Sequence, residues 1–327
     1  MQPTLGITCL LAFALTTPAL AQESKDLWLA AGYGGRRMIS TDGKTWTITA
    51  EWAQPGGDDS NNLMSAVYAQ GKFVVVGGGG GGKTGGGHIL VSRDGKAWKQ
   101  TFTDKSRINP IVYGTGDNGR FIVGRSSYPS GKLMVSKDAE EWNEAAQITA
   151  KGLTHFRHGA YGNGVFVLVG NGQQTDSEGN RKAIHWAIVT PDGQKITSER
   201  TDLPAHGDIK FGAGRFVMLS HDGVMLSSED GIEWKEQTFS DEERPRWLVW
   251  DGKRFLAGSY RAGWQSKDGV TWDKIDLRSG AHVKWTDGKH YIATGWPGKM
   301  SWSSDGLKWE KSPELTANGI NVVLKAE

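Results

Sequence analysis

Ser228-Glu229-Asp230-Gly231-Ile232-Glu233-Trp234 is one of seven versions of a single phrase in this chain. In all seven a Ser or Thr stands two residues before an Asp. Gly follows that Asp in six, and Trp stands four residues after it in six. The other versions begin at Ser40, Ser92, Ser136, Thr190, Ser266 and Ser303. Their acids are Asp42, Asp94, Asp138, Asp192, Asp230, Asp268 and Asp305, spaced by 52, 44, 54, 38, 38 and 37 residues. The chemistry is that of a tight turn. The carboxylate can accept hydrogen bonds from N–H groups of its own turn. Gly supplies a left-handed backbone, and Trp opens the next strand with a large apolar face. The seven acids therefore read as structural rather than catalytic.

Working outward, a second element precedes each turn. It is Gly-x-Phe followed by an apolar run, as in GKFVVVG from Gly71, GRFIVG from Gly119, GVFVLVG from Gly164 and GRFVMLS from Gly214. A further short strand comes before that one. One unit thus reads strand, Gly turn, strand, variable loop, strand, Asp turn, strand. Four antiparallel strands in each such unit make a propeller blade, and seven units make an all-β, seven-bladed β-propeller. The segment from Leu27 matches a second strand whose first strand is missing. NGINVVLKAE from Asn318 can supply it and close the ring, which leaves few exposed sheet edges.

The Ser-x-Asp-Gly-x-x-Trp phrase resembles the Asp-box, or BNR, repeat of sialidase-like exported bacterial propellers. It is also similar to the turns of photosystem assembly-factor propellers. The resemblance covers the chain after its leader and implies the propeller fold. It differs in detail, because the sialidase box usually carries one more residue between Asp and Gly. The sialidase pattern also has a short Arg-Ile-Pro motif and typically six blades. Here Arg36-Arg37 stands without that motif.

Composition agrees with strands and turns: Gly is 46 of 327 residues, and the 15 Trp outnumber the 10 Phe. Lys and Arg total 38 against 36 Asp and Glu, which leaves no basic surplus for nucleic acid. Residues 1–21 read as a signal peptide, with an apolar run from Ile7 to Leu15 and Ala19-Leu20-Ala21 before Gln22. That predicts a secreted or periplasmic propeller over 22–327, expected to be a monomer and not inserted in a membrane. The one cysteine, Cys9, falls in that leader. The remaining chain can therefore build no thiolate metal site, cysteine nucleophile or disulfide. No cofactor and no metal is expected.

Strand order assigns faces. The Gly-x-Phe and Asp turns share one face, the bottom. The variable loops and the starts of the innermost strands lie on the other, where binding residues usually sit. Those starts carry Ser65, Asn109, Arg157, His158, His206, Asp208, Arg246, Trp247 and His282, and the loops add Arg36, Arg37, Tyr128, Tyr260, Arg261, Trp264 and Trp296. Arg suits carboxylates and sulfates, exposed aromatics suit sugar rings, and His moves protons near neutral pH. One reading is a binding module for a glycan or an extracytoplasmic protein. Arg157, Asp208, Arg246, Trp247, Arg261, Trp264 and Trp296 would then hold the ligand. The alternative is a polysaccharide lyase or glycoside hydrolase working on an acidic glycan, with His158, His206, His282 and Tyr260 as the catalytic set. Hydrolysis needs two flanking carboxylates, and only Asp208 has a funnel position. Elimination from a uronate needs an Arg and a His or Tyr, as in some seven-bladed propeller lyases.

Overall fold

The computed structural model describes residues 26–326 except 52–56, 80–85, 117–118, 238 and 240–242. The expected leader at 1–21, and the middle of the Gly run that starts at Gly77, lie outside the described residues. Seven four-stranded antiparallel sheets stand in a ring. Blades 2 to 7 each use four consecutive strands. Their innermost strands are Leu63–Ala69, Ile108–Gly114, His155–Gly162, Gly207–Gly212, Trp247–Trp250 and His282–Thr286. Blade 1 is a composite. Ile320–Lys325 is its innermost strand and pairs antiparallel with Trp28–Gly32. Each innermost strand lies against that of the next blade, and Ile320–Lys325 lies against both its neighbours, so the ring is closed.

The Asp turns form as their chemistry dictates. Asp230 Oδ1 accepts from the N–H of Ile232 and Glu233 at 2.8 and 2.9 Å. Ser228 Oγ donates to the same oxygen and accepts the Gly231 N–H at 2.8 Å. Trp234 Nε1 donates to the Gly231 carbonyl at 2.9 Å, so the indole closes its own turn before it packs outward. Gly231 has φ +75°, and a Cβ there would overlap Val167 of the preceding blade. The same overlap is met at Gly95 with Ile39, at Gly193 with Val135, and at Gly269 with Val217. Each turn is thus a wedge against the blade before it. Blade 3 is the exception in sequence but not in shape: Ala139 takes φ +61° and is fully buried among the side chains of blade 2.

A second repeated contact holds the inner ends. Tyr68, Tyr113, Tyr161, Phe211 and Trp250 close their inner strands, and each packs on the Phe that opens the next strand. Ring centroids in these five pairs are 4.6 to 4.8 Å apart. Such pairs add about 0.5–1.5 kcal/mol each beyond area burial. In blades 3 to 5 the residue after the aromatic is Gly, and the next blade's aromatic lies where its Cβ would be.

Replacing Gly231 by Ala combines a strained φ with overlap on Val167 and is expected to cost about 2–4 kcal/mol. Ala139→Gly is expected to change stability by about 1 kcal/mol or less, since relief of φ strain offsets lost packing. Chemical denaturation of both variants checks the difference. Removing residues 318–327 strips the inner strand of blade 1 and is expected to lower the melting temperature sharply. An unchanged melting curve would contradict closure by this strand.

Candidate functional site

Side chains alternate along a strand, so residues two apart on an inner strand can turn to the same space. Asp208 and Lys210 do this in blade 5. Together with Lys284 of blade 7 and Arg157 and His158 of blade 4, they line an axial bore of about 600 Å³. Tyr68, Tyr113, Tyr161, Phe211 and Trp285 line its lower end. Lys210 Nζ donates to Asp208 Oδ1 at 2.7 Å, and His158 Nδ1 stands 3.8 Å from the same oxygen. Burial opposes ionisation of Asp208, but Lys210 and His158 outweigh it and hold the carboxyl below its usual range. His158 and Asp208 each keep 39% side-chain exposure through the bore, with protein around it. That confinement pushes the His158 imidazole down to about 4 despite the nearby carboxylate. Burial likewise lowers the Lys284 ammonium.

His158 in the bore wall is one of six histidines, of the chain's eight, on this side of the ring; the others are His155, His185, His206, His221 and His282. His185 and His206 link blades 4 and 5, with their Nδ1 atoms 2.7 Å apart and rings stacked. A neutral donor–acceptor pair satisfies that contact, whereas two imidazolium rings would repel. Burial, then His185 and Arg157, push His206 down to about 4. His282 is lowered by burial, Lys284 and Arg246. His221 contributes to the field at His158, His206 and His282. Among the described residues, no group of three His, Cys, Asp or Glu could hold a metal ion.

Beside the mouth, a groove of about 520 Å³ crosses the loops of blades 2 to 4. Lys105, Arg107, Tyr128, His155 and Arg157 line it with several Ser and Thr, and no acidic residue does among the described residues. Arg107 Nε is held by the Gly78 carbonyl at 3.0 Å, and Arg157 Nε by Asn171 Oδ1 at 2.7 Å. Both partners are neutral. Arg157 lines the groove and the bore alike. Strands Val165–Thr175 and Arg181–Thr190 of blade 4 are long, and their hairpin ends at the Asp176–Asn180 turn.

The residues expected at the funnel divide. His158, His206, His282, Arg157, Asp208 and Arg246 do meet around the mouth and bore. Tyr260 is 56% exposed, its ring 6.3 Å from His282. Arg261 is exposed on the Ser259–Ala262 turn beside it. Trp296 is 67% exposed and meets Tyr33 edge-on across the blade 7 to blade 1 boundary. Three expectations need correction. Trp247 is buried in the core between blades 6 and 7, over Gly258, and does not face a ligand. Trp264 is also buried, edge-on to Phe239. Arg37 is not a rim residue either. It is buried over the Trp98 ring, bonded to the Gly35 carbonyl, and lowered to about 10 by burial. Arg36 is spent on Glu51 and Asp58. Sequence reading passed over Lys210, Lys284, His185, His221, Arg107 and His155. The first two were within reach, since each stands two residues beyond a named funnel residue.

No protein-family model and no curated protein matches this chain. Solved structures do. YCF48 from Cyanidioschyzon merolae is similar at 16% identity, over 84% of this chain and 98% of that one, with a TM-score of 0.53. YCF48 bound to D1 peptide is similar at 15%, over 76% and 81%, with a TM-score of 0.51. A protein from Lactobacillus plantarum is similar at 11%, over 92% and 99%, with a TM-score of 0.58. At these identities the likeness is one of fold: the chain is a seven-bladed propeller.

The lowered histidines set a pH dependence. His158 and His206 titrate near 4 in the fold and near 6.5 in the unfolded chain, so the unfolded state binds more protons between those values. Their contribution is complete above pH 6.5 and is lost as pH falls towards 4. Asp42 and Asp268 titrate near 2, where turn N–H donors outweigh partial burial. Their contribution is lost from about pH 4 down to about 2. The melting temperature is expected to fall in two steps on acidification, and His206→Gln should flatten only the first.

Proposed function

We propose that this protein is a non-catalytic recognition module that holds an acidic, uronate-bearing glycan across its top face outside the cytoplasm. One observation carries the reading: a groove with Lys105, Arg107, His155 and Arg157 in its walls and, among the described residues, no carboxylate lining it. A guanidinium held by a neutral carbonyl through Nε keeps its terminal N–H groups for a ligand carboxylate, in the two-pronged geometry that Arg favours. Tyr128, at 91% exposure, stands in the same groove, and Tyr260 and Trp296 are exposed elsewhere on the top face. Flat aromatic faces of this kind suit the apolar side of a sugar ring. The expected leader supports a site of action outside the cytoplasm.

Binding is favoured over elimination by the histidines. A general base works best with a pKa near the working pH, and His158 and His206 are pushed to about 4. An acidic peptide offers the same carboxylates. A propeller of this fold is known bound to a peptide, so the test includes one.

Purified protein is titrated by calorimetry with polygalacturonate oligomers, neutral glucan oligomers and an oligoglutamate peptide, while unsaturated-sugar absorbance is followed. The expected result is binding to the uronate alone, weakened by salt, with no absorbance. Arg107→Ala is expected to weaken binding about tenfold or more, the worth of one charge-assisted contact. Preference for the neutral glucan or the peptide would overturn the glycan assignment, and rising absorbance would overturn the non-catalytic one.

A further inference from the structure

Below the mouth the bore carries its own charge imbalance. Its cations are Arg157, Lys210, Lys284 and Lys325, and Asp208 is the one carboxylate among the described residues lining it. Lys325 is neutralised by Asp26 at 2.8 Å and sits over the Trp28 ring. Lys210 is matched by Asp208. Among the described residues, the partner of the Arg157 guanidinium is the neutral Asn171 amide. Lys284 lies within the field of Asp208 and Lys210, yet among the described residues it has no ion pair. Arg157, Lys210 and Lys284 therefore share the single carboxylate of Asp208 around this space. Unpaired charge away from bulk water is costly, and the lowered Lys284 ammonium reflects that cost.

We propose that the bore is a binding site for a compact doubly charged oxyanion of the sulfate or phosphate kind, gripped by Lys284 and Lys210 with His158 alongside and Arg157 further along the wall. Two charges are what the wall lacks, which favours a dianion over a single carboxylate. The volume of about 600 Å³ admits such an ion with several waters, each taking about 30 Å³. Asp208 acts as an internal competitor: it occupies Lys210 and keeps the site from holding the anion too tightly.

This site can be tested apart from the groove, because Lys210 and Lys284 line the bore and not the groove, and Arg107 lines the groove and not the bore. Sulfate and phosphate are titrated separately at constant ionic strength held with chloride, reading melting temperature and heat of binding. Wild type is expected to show a saturable rise. Lys284→Met should weaken the apparent Kd about tenfold or more, Lys284→Arg should restore much of it, and Asp208→Asn should tighten it several-fold. Melting without the anion shows which variants fold, and Lys210→Met replaces Lys284→Met if the latter does not. The opposite signs matter, since general damage to the bore would weaken binding in both the lysine and the aspartate variants. Equal response to chloride, an unchanged Kd in the lysine variant, or weaker binding in Asp208→Asn would overturn the proposal.

Discussion

The ring depends on how closely one blade can approach the next. At the bottom face that distance is set by absent side chains. Gly231, Gly193, Gly95 and Gly269 put bare backbone against the branched residues of the blade before them. Tyr161, Phe211 and Trp250 do the same one layer inward, filling the space over Gly114, Gly162 and Gly212. Interiors are packed tightly enough that one extra methyl is felt. Contacts of this kind, repeated around the ring, fix the angle between blades, and that angle fixes the width of the bore.

The consequence for the site is indirect but firm. Because the bottom face sets the spacing, the top face is free to vary. The blades differ most in their upper loops, from the four-residue turn at Ser220–Gly223 to the long hairpin of blade 4. Arg107, Arg157, Lys210 and Lys284 come from three different blades and a linking loop, yet line two cavities that meet at Arg157. Arg107 and Arg157 are each held by a neutral scaffold partner, the Gly78 carbonyl and the Asn171 amide.

The fold was legible because its signals are local and repeated. A Ser, an Asp, a Gly and a Trp within seven residues carry a complete set of hydrogen bonds, and seven copies leave little freedom in architecture. Closure was legible too, since Trp28–Gly32 lacked a partner that Ile320–Lys325 could supply. The site was only half legible. Position along an inner strand placed His158, His206 and Asp208 correctly. It could not tell that Trp247 turns into the core, because that depends on which way the strand's pleat faces in blade 6. Trp264 was misplaced for a related reason: Phe239, from the linker before blade 6, covers it. Arg107 and His185 were missed because they owe their positions to neighbouring blades, and no local pattern records that.

The composite blade has a further consequence for assembly. Six blades are built from consecutive strands and can form as hairpins close in turn. Blade 1 cannot, because Gly32 must find Ile320 from the far end of the chain, and such distant pairings form slowly. Until then Trp28–Gly32 carries an open edge, with its hydrogen-bonding groups available to any strand of matching pattern. A second copy of the chain owns a strand that fits as well as the molecule's own. The geometry that seals the single ring is therefore also the geometry by which two rings could trade their final strands, and only the high local concentration of a chain's own end keeps each copy to itself.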